Sequence, residues 1–375
     1  MAEMDKIAQQ VDVRSDDGWQ DLLNWLPAGW EEKMVELGGF ARSRLVRSPG
    51  DLLRITFAFA VLGLHLEGLA AWCREKLIAS CSHVALWRRL ARMAPFLEWL
   101  VAELLRETVA APRNGLVLAP LDATTFSLPG STKRDWLVHL LWASGNVHDV
   151  RVTRVQGEGT GESLLHLKDL PADAVVLADR AYGTPPGIIK ASRQERRFIL
   201  RFTWNNLPLY LDREGGARID AKQALGTLRT GNVGEFFAWV RSRKEEPVRV
   251  RVVATRLDNQ KAEAARKHSQ EESTRKGHKP NATTGFVAGF VLLVTNVKIS
   301  DAPARAVADA YRWRWQIELE FKRLKSITGV RRLDNWKDEM VKCYLLALIA
   351  AWLLTHKIAR TGAFFPWGYP LAWPS

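Results

Sequence analysis

Three carboxylates in this chain stand where metal-assisted phosphoryl chemistry needs them. Asp122 lies in LAPLDATTFSLPG, Asp179 ends AVVLAD, and Glu318 sits in AYRWRWQIELEFKRLK, residues 310–325. Hard oxygen ligands suit Mg²⁺ or Mn²⁺ better than zinc, which prefers His and Cys. Carboxylates that hold two such ions roughly 3.5–4 Å apart favour in-line phosphoryl transfer: one ion activates a water or a 3′-hydroxyl, the other steadies the leaving oxygen. Each carboxylate also has an ordinary reading. Asp122 could form an Asx-turn with Thr124 or Thr125, and Asp179 could cap the turn that follows it. Glu318 could simply pair with Arg314 one turn away, worth a few tenths of a kcal/mol.

The elements that must position them can be read from pattern. Residues 310–325 contain no Gly or Pro and many good helix formers, which predicts a helix. Tyr311, Arg314, Glu318 and Lys325 recur at helical steps and return to one stripe, roughly 60° wide. Trp315, Ile317, Leu319, Phe321 and Leu324 flank the stripe, so the helix is expected to pack against a core. Arg314 and Lys325 could hold phosphates next to a scissile one. Leu116–Asp122 reads as a strand in which Pro120 marks an irregularity or an edge. Leu118 and Leu116 share the face of Asp122. Ala174–Ala178 reads as a buried sheet strand that delivers Asp179 to a Gly-containing turn.

The rest of the chain fits around these. Residues 1–15 form a loose tail and residues 16 to about 110 are helical in pattern. Ser48-Pro49-Gly50-Asp51 starts a helix that is expected to run through Leu52–Trp72 with Gly63 and Gly68 inside it. Ser80-Cys81-Ser82-His83 is a candidate N-cap stretch ahead of VALWRRLARM. There Val84, Trp87, Leu90 and Ala91 form an apolar stripe with Arg88, Arg89 and Arg92 off it, like the second helix of a helix-turn-helix or a bundle helix with solvated arginines. Strands are expected at 136–143 and 148–156 around a Ser144-Gly145-Asn146 hairpin, then a turn at 157–161 and a short helix at 162–170. Thr184-Pro185-Pro186 opens a helix to about Arg193, and Arg197–Phe202 is the next strand. Beyond it come strands at 235–241 and 248–255, an exposed charged helix within 256–279, and a strand at 285–296. Val341–Lys357 is an apolar helix before a Pro-rich tail. Three hairpin-connected strands followed by helix–strand units give an α/β (α+β) mixed sheet with helices packed on it.

Composition narrows the class. A 375-residue chain can bury a substantial core. Formal net charge is +13, and residues 241–280 hold twelve Lys or Arg against six Asp or Glu, about half of the surplus. Such a balance points to a polyanion, nucleic acid before an anionic membrane surface. Three Cys form neither a disulfide framework nor a metal spacing, which places the chain in a reducing compartment. The acidic, polar N-terminus is not a signal peptide. The apolar runs at 55–64 and 344–354 are too short to span a bilayer, so no membrane partner is expected.

The spacing Tyr311-x2-Arg314-x3-Glu318-x6-Lys325 resembles the Y-R-E-K signature of DDE transposases of bacterial insertion sequences, in the IS-four-like family. LDATTFSLPG with Trp136 and His139 downstream, ADRAYG around Asp179, RFILRF and LLVTN match as well. The resemblance covers roughly residues 45–355. It implies a ribonuclease-H-like catalytic core with Asp122, Asp179 and Glu318 as metal-binding triad and two Mg²⁺ ions, replaceable by Mn²⁺. Tyr311, Arg314 and Lys325 would contact the backbone of transposon-end DNA, joined by Arg180, Arg201, Arg88 and Arg89. The implied division is a tail (1–15), a helical DNA-binding domain (16–111), a core (112–204 and 302–330), a β-rich insertion (205–301) and a helical C-terminal region (331–375). The implied reaction is hydrolysis at the element's 3′ ends, then attack of the freed 3′-OH on target DNA. A homodimer would assemble on the terminal inverted repeats, in the cytoplasm at the nucleoid. Related members stack a flipped base on an insertion-domain Trp. Here Val291 precedes LLVTN, leaving Trp204 and Trp239 as substitutes. The alternatives are an inactive, element-derived DNA-binding protein and a ribonuclease-H-like nuclease that does not join strands.

Overall fold

The computed structural model describes residues 16–41, 45–106, 117–131, 135–143, 146–155, 174–243, 245–275, 277, 282–328, 333 and 336–360. The tails at 1–15 and 361–375, the Ser144-Gly145 hairpin tip, the 157–161 turn and the 162–170 helix lie outside them.

Among the described residues six helices come first: α1 (Asp16–Leu23), α2 (Trp30–Glu36), α3 (Pro49–Val61), α4 (Leu66–Glu75), α5 (His83–Leu90) and α6 (Ala94–Arg106). Ser48 caps α3 by accepting the Asp51 N–H at 3.0 Å, with Pro49 in the first turn. The single helix expected over Leu52–Trp72 is two. Gly63 has a φ of 59°, a left-handed conformation that ends α3 as a glycine readily does. Ser82 caps α5, as expected. The buried side of α5 is Leu86 and Leu90, while Val84 is 46 % exposed, so its apolar stripe is rotated from the expected one.

Leu77, between α4 and α5, has a φ of 56° and is 89 % exposed. A left-handed L-residue costs roughly 1–2 kcal/mol, and an exposed side chain returns no packing. Leu77→Gly should therefore raise stability by about 1 kcal/mol in urea unfolding. A lowered midpoint would contradict this.

The strands are β1 (Val117–Phe126), β2 (Trp136–Ala143), β3 (Asn146–Arg154), β4 (Ala174–Ala178), β5 (Arg197–Arg201), β6 (Leu209–Tyr210), β7 (Val233–Ser242), β8 (Glu245–Arg256) and β9 (Phe290–Thr295). Together they form one nine-stranded sheet in the order β3-β2-β1-β4-β5-β9-β8-β7-β6. β1, β4 and β5 are parallel; β2 and β3 run antiparallel beside β1. This antiparallel triplet followed by two parallel strands is the ribonuclease-H-like arrangement. Pro120 sits in a central strand, but pairing of β1 with β2 begins only at Leu121, so Pro120 falls where one neighbour is missing. β6, β7 and β8 extend the same sheet beyond β9.

α7 (Pro185–Arg193) covers one face of the sheet through Ile188 and Ile189. After β5 come α8 (Ala221–Leu225), α9 (Asn259–Arg275) and α10 (Ala282–Val287). The expected strand over 285–296 is thus helix in its first part and strand only from Phe290. Next are α11 (Ala304–Tyr311), a 3₁₀ turn (Arg312–Arg314), α12 (Trp315–Thr328) and α13 (Asp338–Arg360). The segment 338–359 is long and apolar enough to cross a membrane, yet 72 % of its apolar window is buried inside the protein. It packs on α6 and α3, so its apolar surface is consumed by the core.

Residues alternate between two faces of the sheet. Val117, Ala119 and Leu121 join the core under α7. Leu118, Val175, Leu177 and Ile199 join the core under α11, while Phe126, Val138 and Leu140 join that of α12, α13 and the N-terminal helices. The face carrying α11 and α12 is therefore divided into two apolar clusters with a seam between them.

Candidate active site

By strand parity Asp122 shares the face of Leu118 and Phe126, and Asp179 shares that of Val175 and Leu177. Both carboxylates point to the α11–α12 side, at the seam between the two clusters. The C-terminal end of β4 releases Asp179 into a turn, where its Oδ1 accepts the Ala181 N–H at 2.8 Å. Asp122 Oδ1 accepts the N–H of Ala123 at 2.8 Å rather than one from Thr124 or Thr125. Each aspartate thus has a local backbone partner and its second oxygen left for the site.

The helix expected over residues 310–325 is broken at the 3₁₀ turn. In a 3₁₀ turn residues three apart eclipse, which brings Tyr311 and Arg314 into line above the ends of β1 and β4. Arg314 lies 3.6 Å from Asp122 and forms a charge-assisted hydrogen bond with Glu318. The guanidinium therefore joins a carboxylate from the sheet to one from α12.

Burial pushes the Asp122 carboxyl up to about 6. The Ala123 N–H and Arg314 oppose that rise, and the carboxylates of Asp179 and Glu318 add to it. Asp179 and Glu318 thus both act on the half-buried Asp122. Burial also raises the Tyr311 phenol to about 12, with Arg314 and Arg201 opposing and Asp179 adding. Its buried hydroxyl lies beside the Arg314 guanidinium.

Among the described residues no group of three or more His, Cys, Asp or Glu side chains is gathered to hold a metal ion. Arg314 supplies positive charge to Asp122 and Glu318 instead. The donor set nonetheless fits a divalent cation. It is all carboxylate, with Asp122 and Asp179 half-buried and Glu318 exposed at the rim, and hard oxygen donors of this kind suit such an ion.

The remaining expected residues scatter. Arg180 and Arg201 are exposed at the C-terminal ends of β4 and β5, on the edge that carries Asp179. Lys325 is exposed two turns beyond Glu318, its ammonium 5.9 Å from the Phe126 ring centre. Arg88 and Arg89 lie on α5 in the helical layer, which does not bring them to the carboxylates; Arg89 donates to the Ala85 carbonyl at 3.2 Å. Trp204 stacks near Phe202 on the opposite face, and Trp239 lies on distant β7.

Some features escape sequence reasoning. Trp315, expected among the packed flanks, is 50 % exposed, and Trp313 is 42 % exposed, because the 3₁₀ turn rotates them outward. Glu320 is buried, paired with Arg323 and 3.5 Å from His356 of α13. Burial raises its carboxyl above the usual range, with Arg323 opposing. A Glu among Ile317, Phe321 and Leu324, with Arg three residues on, was the available sign. His139 projects to the α7 face, its Nδ1 3.3 Å from the Tyr182 hydroxyl.

Residues 114–354 match the family described as the transposase DDE domain. The putative transposase InsL of insertion sequence element IS186A from Escherichia coli (strain K12) is 30 % identical over 362 residues, covering 94 % of this chain and 96 % of its own. The transposase of element IS421 from Escherichia coli is 30 % identical over 363 residues, with the same coverage. That of IS231E from Bacillus thuringiensis subsp. finitimus is 28 % identical over 145 residues, 38 % of this chain and 30 % of its own. The match spans the sheet that carries both aspartates and the helix that carries Glu318: the chain belongs to the transposase DDE domain family, a family of enzymes of DNA transposition.

Proposed function

We propose that Asp122, Asp179 and Glu318 are the catalytic triad and hold two Mg²⁺ ions, for which Mn²⁺ can substitute. The observation that carries this is that Arg314 joins Asp122 of β1 to Glu318 of α12, with Asp179 at the end of neighbouring β4 acting electrostatically on Asp122. Bound there, a divalent ion would acidify a water or a 3′-hydroxyl and steady the leaving oxygen. The chain's own residues do the rest. Asp122 and Asp179, fixed by their backbone partners, keep an oxygen each for the site. Arg314 turns from the carboxylates to a phosphate of the transposon end. Tyr311, Arg180, Arg201 and Lys325 contact the same backbone, and Arg88 and Arg89 contact DNA farther out. Exposed Trp313 and Trp315 offer indole faces beside Glu318 on which an unstacked base can rest.

The reaction is cleavage at the element's ends and attack of the 3′-OH on target DNA. The enzyme acts as a homodimer assembled on two terminal inverted repeats, at the nucleoid in the cytoplasm. The helical region 16–111 and the insertion 205–301 serve as DNA-binding parts around the core at 112–204 and 302–330.

The acid–base behaviour of Asp122 gives a metal-free test. Its folded value of about 6 exceeds the ordinary 3.8, so the folded state holds the proton more tightly. The resulting stability is complete below about pH 4 and is lost as pH rises through 6. In EDTA, wild type should therefore gain about 2 kcal/mol on Asp122→Asn between pH 7.5 and 4.5. At pH 7.5, Mg²⁺ should raise the melting temperature of wild type and not of Asp122→Asn. A stability difference independent of both pH and Mg²⁺ would remove Asp122 from the site.

A further inference from the structure

The sheet face that bears the carboxylates does not end at α11. Strand parity carries it onto β6, β7 and β8, where Val253 joins the core under α11 and Ala238, Val240, Val250 and Val252 join the opposite core. Tyr210, Phe237, Trp239, Arg241 and Arg249 therefore share the face of Asp122. Tyr210 pairs with Trp239, and Trp239 with Arg249, across adjacent strands.

On this face the arginines lie against the rings. Arg249 is 4.4 Å from the centre of the Phe237 ring, and Arg218 and Arg241 are 5.8 and 5.6 Å from that of Tyr210. Arg241 is also held from the other side. Gly215, with a φ of 80°, approaches so closely that a Cβ there would fall 1.4 Å from its Nη1. The Gly215 loop is itself built by Asp212, whose Oδ1 accepts the Gly215 and Gly216 N–H groups. Asp212 also interacts with Arg241. Glu235 on the same face is taken by buried Arg251.

Guanidinium groups stacked on rings keep their N–H edges directed outward in a fixed plane. The rings are covered by cations and so serve as backing plates rather than as platforms for bases. Fixed, outward guanidinium edges match phosphate oxygens. From β1 to β7 there are five inter-strand steps, about 24 Å, or roughly seven base pairs at 3.4 Å each.

We propose that Arg218, Arg241 and Arg249, backed by Tyr210 and Phe237, bind the phosphate backbone of duplex DNA about seven base pairs from the phosphate cut at Asp122, Asp179 and Glu318. This rests on the transposase reading of that site. It assigns the outer strands of the sheet to gripping the transposon end, with sequence-independent contacts that set its register.

The test uses full-length protein and two fluorescent duplexes cut from the element's own end, one of 6 and one of about 20 base pairs, in Ca²⁺. The longer duplex should bind wild type at least about thirty-fold more tightly. In the triple variant Arg218→Ala, Arg241→Ala, Arg249→Ala that advantage should vanish, with little change on the short duplex. Its slope of log affinity against log salt should be shallower by about 2–3. Arg249→Glu alone, at an exposed position whose loss leaves the Arg241 stack intact, should weaken the long duplex about ten-fold. Unchanged affinity and slope in both variants, or equal losses on both duplexes, would overturn the proposal while leaving the cleavage site standing. Wild type that binds neither duplex would overturn this proposal and the transposase reading together.

Discussion

Asp122→Ala and Asp179→Ala should each lower cleavage at the transposon end by at least about a thousand-fold, with DNA binding retained. The two side chains reach the site from parallel neighbours β1 and β4 on one face, so neither can stand in for the other. Under the proposed triad, removing either deletes an oxygen ligand and leaves the local fold intact, because the backbone bond each aspartate accepts is a single nearby N–H, from Ala123 and Ala181. Activity measured on a labelled end duplex, beside a binding assay in Ca²⁺, separates the two effects. Loss of binding in parallel with cleavage would mean that the aspartates serve the structure instead. The same variants distinguish the enzyme from an inactive DNA-binding descendant, in which neither substitution would matter.

Arg314→Ala should have the second largest effect, about a hundred-fold or more on cleavage. Two separate losses combine. In the resting protein Arg314 neutralises Asp122 and Glu318, so its removal leaves half-buried Asp122 without its countercharge and with Asp179 and Glu318 still acting on it. Stability at pH 8 should fall by about 1–3 kcal/mol, and less at pH 5, where Asp122 takes up a proton. Under the proposed DNA-contact role, the same variant also lacks a phosphate contact in the DNA complex. Arg314→Lys should recover stability in part but little activity, since an ammonium lacks the planar fork that reaches two oxygen atoms at once. Full activity in Arg314→Lys would show that charge alone is required there.

Much of this architecture was legible because local pattern and final packing agree. Ala174–Ala178 is five buried apolar residues and forms β4 with those limits. Thr184-Pro185-Pro186 starts α7 where expected. The order strand–Asp, strand–Asp, helix–Glu is a sequential fact that the sheet converts into a spatial one. The misses have physical causes. Gly63 can be inside a helix or end one, and only its positive φ decides. Residues 285–289 have strand-like composition, yet 285–287 form the end of α10 and 288–289 a turn before β9 begins. Residues 310–325 carry no breaker, so a 3₁₀ turn inside them is a tertiary choice that seats Tyr311 and Arg314 over β1 and β4. The pairing of Arg314 with Asp122 links positions far apart in the chain, which periodicity cannot reveal. The extension of one sheet through β6, β7 and β8 was hidden for the same reason: strand order is not written in strand pattern.

The most direct test is cleavage of a labelled duplex carrying the element's own end, by wild type and Glu318→Gln, in Mg²⁺, in Ca²⁺ and in EDTA. The account predicts a cut at the transposon end in Mg²⁺ with wild type alone, and bound but uncut DNA in Ca²⁺. Equal cutting by Glu318→Gln, cutting in EDTA, or cutting at positions unrelated to the end would contradict it.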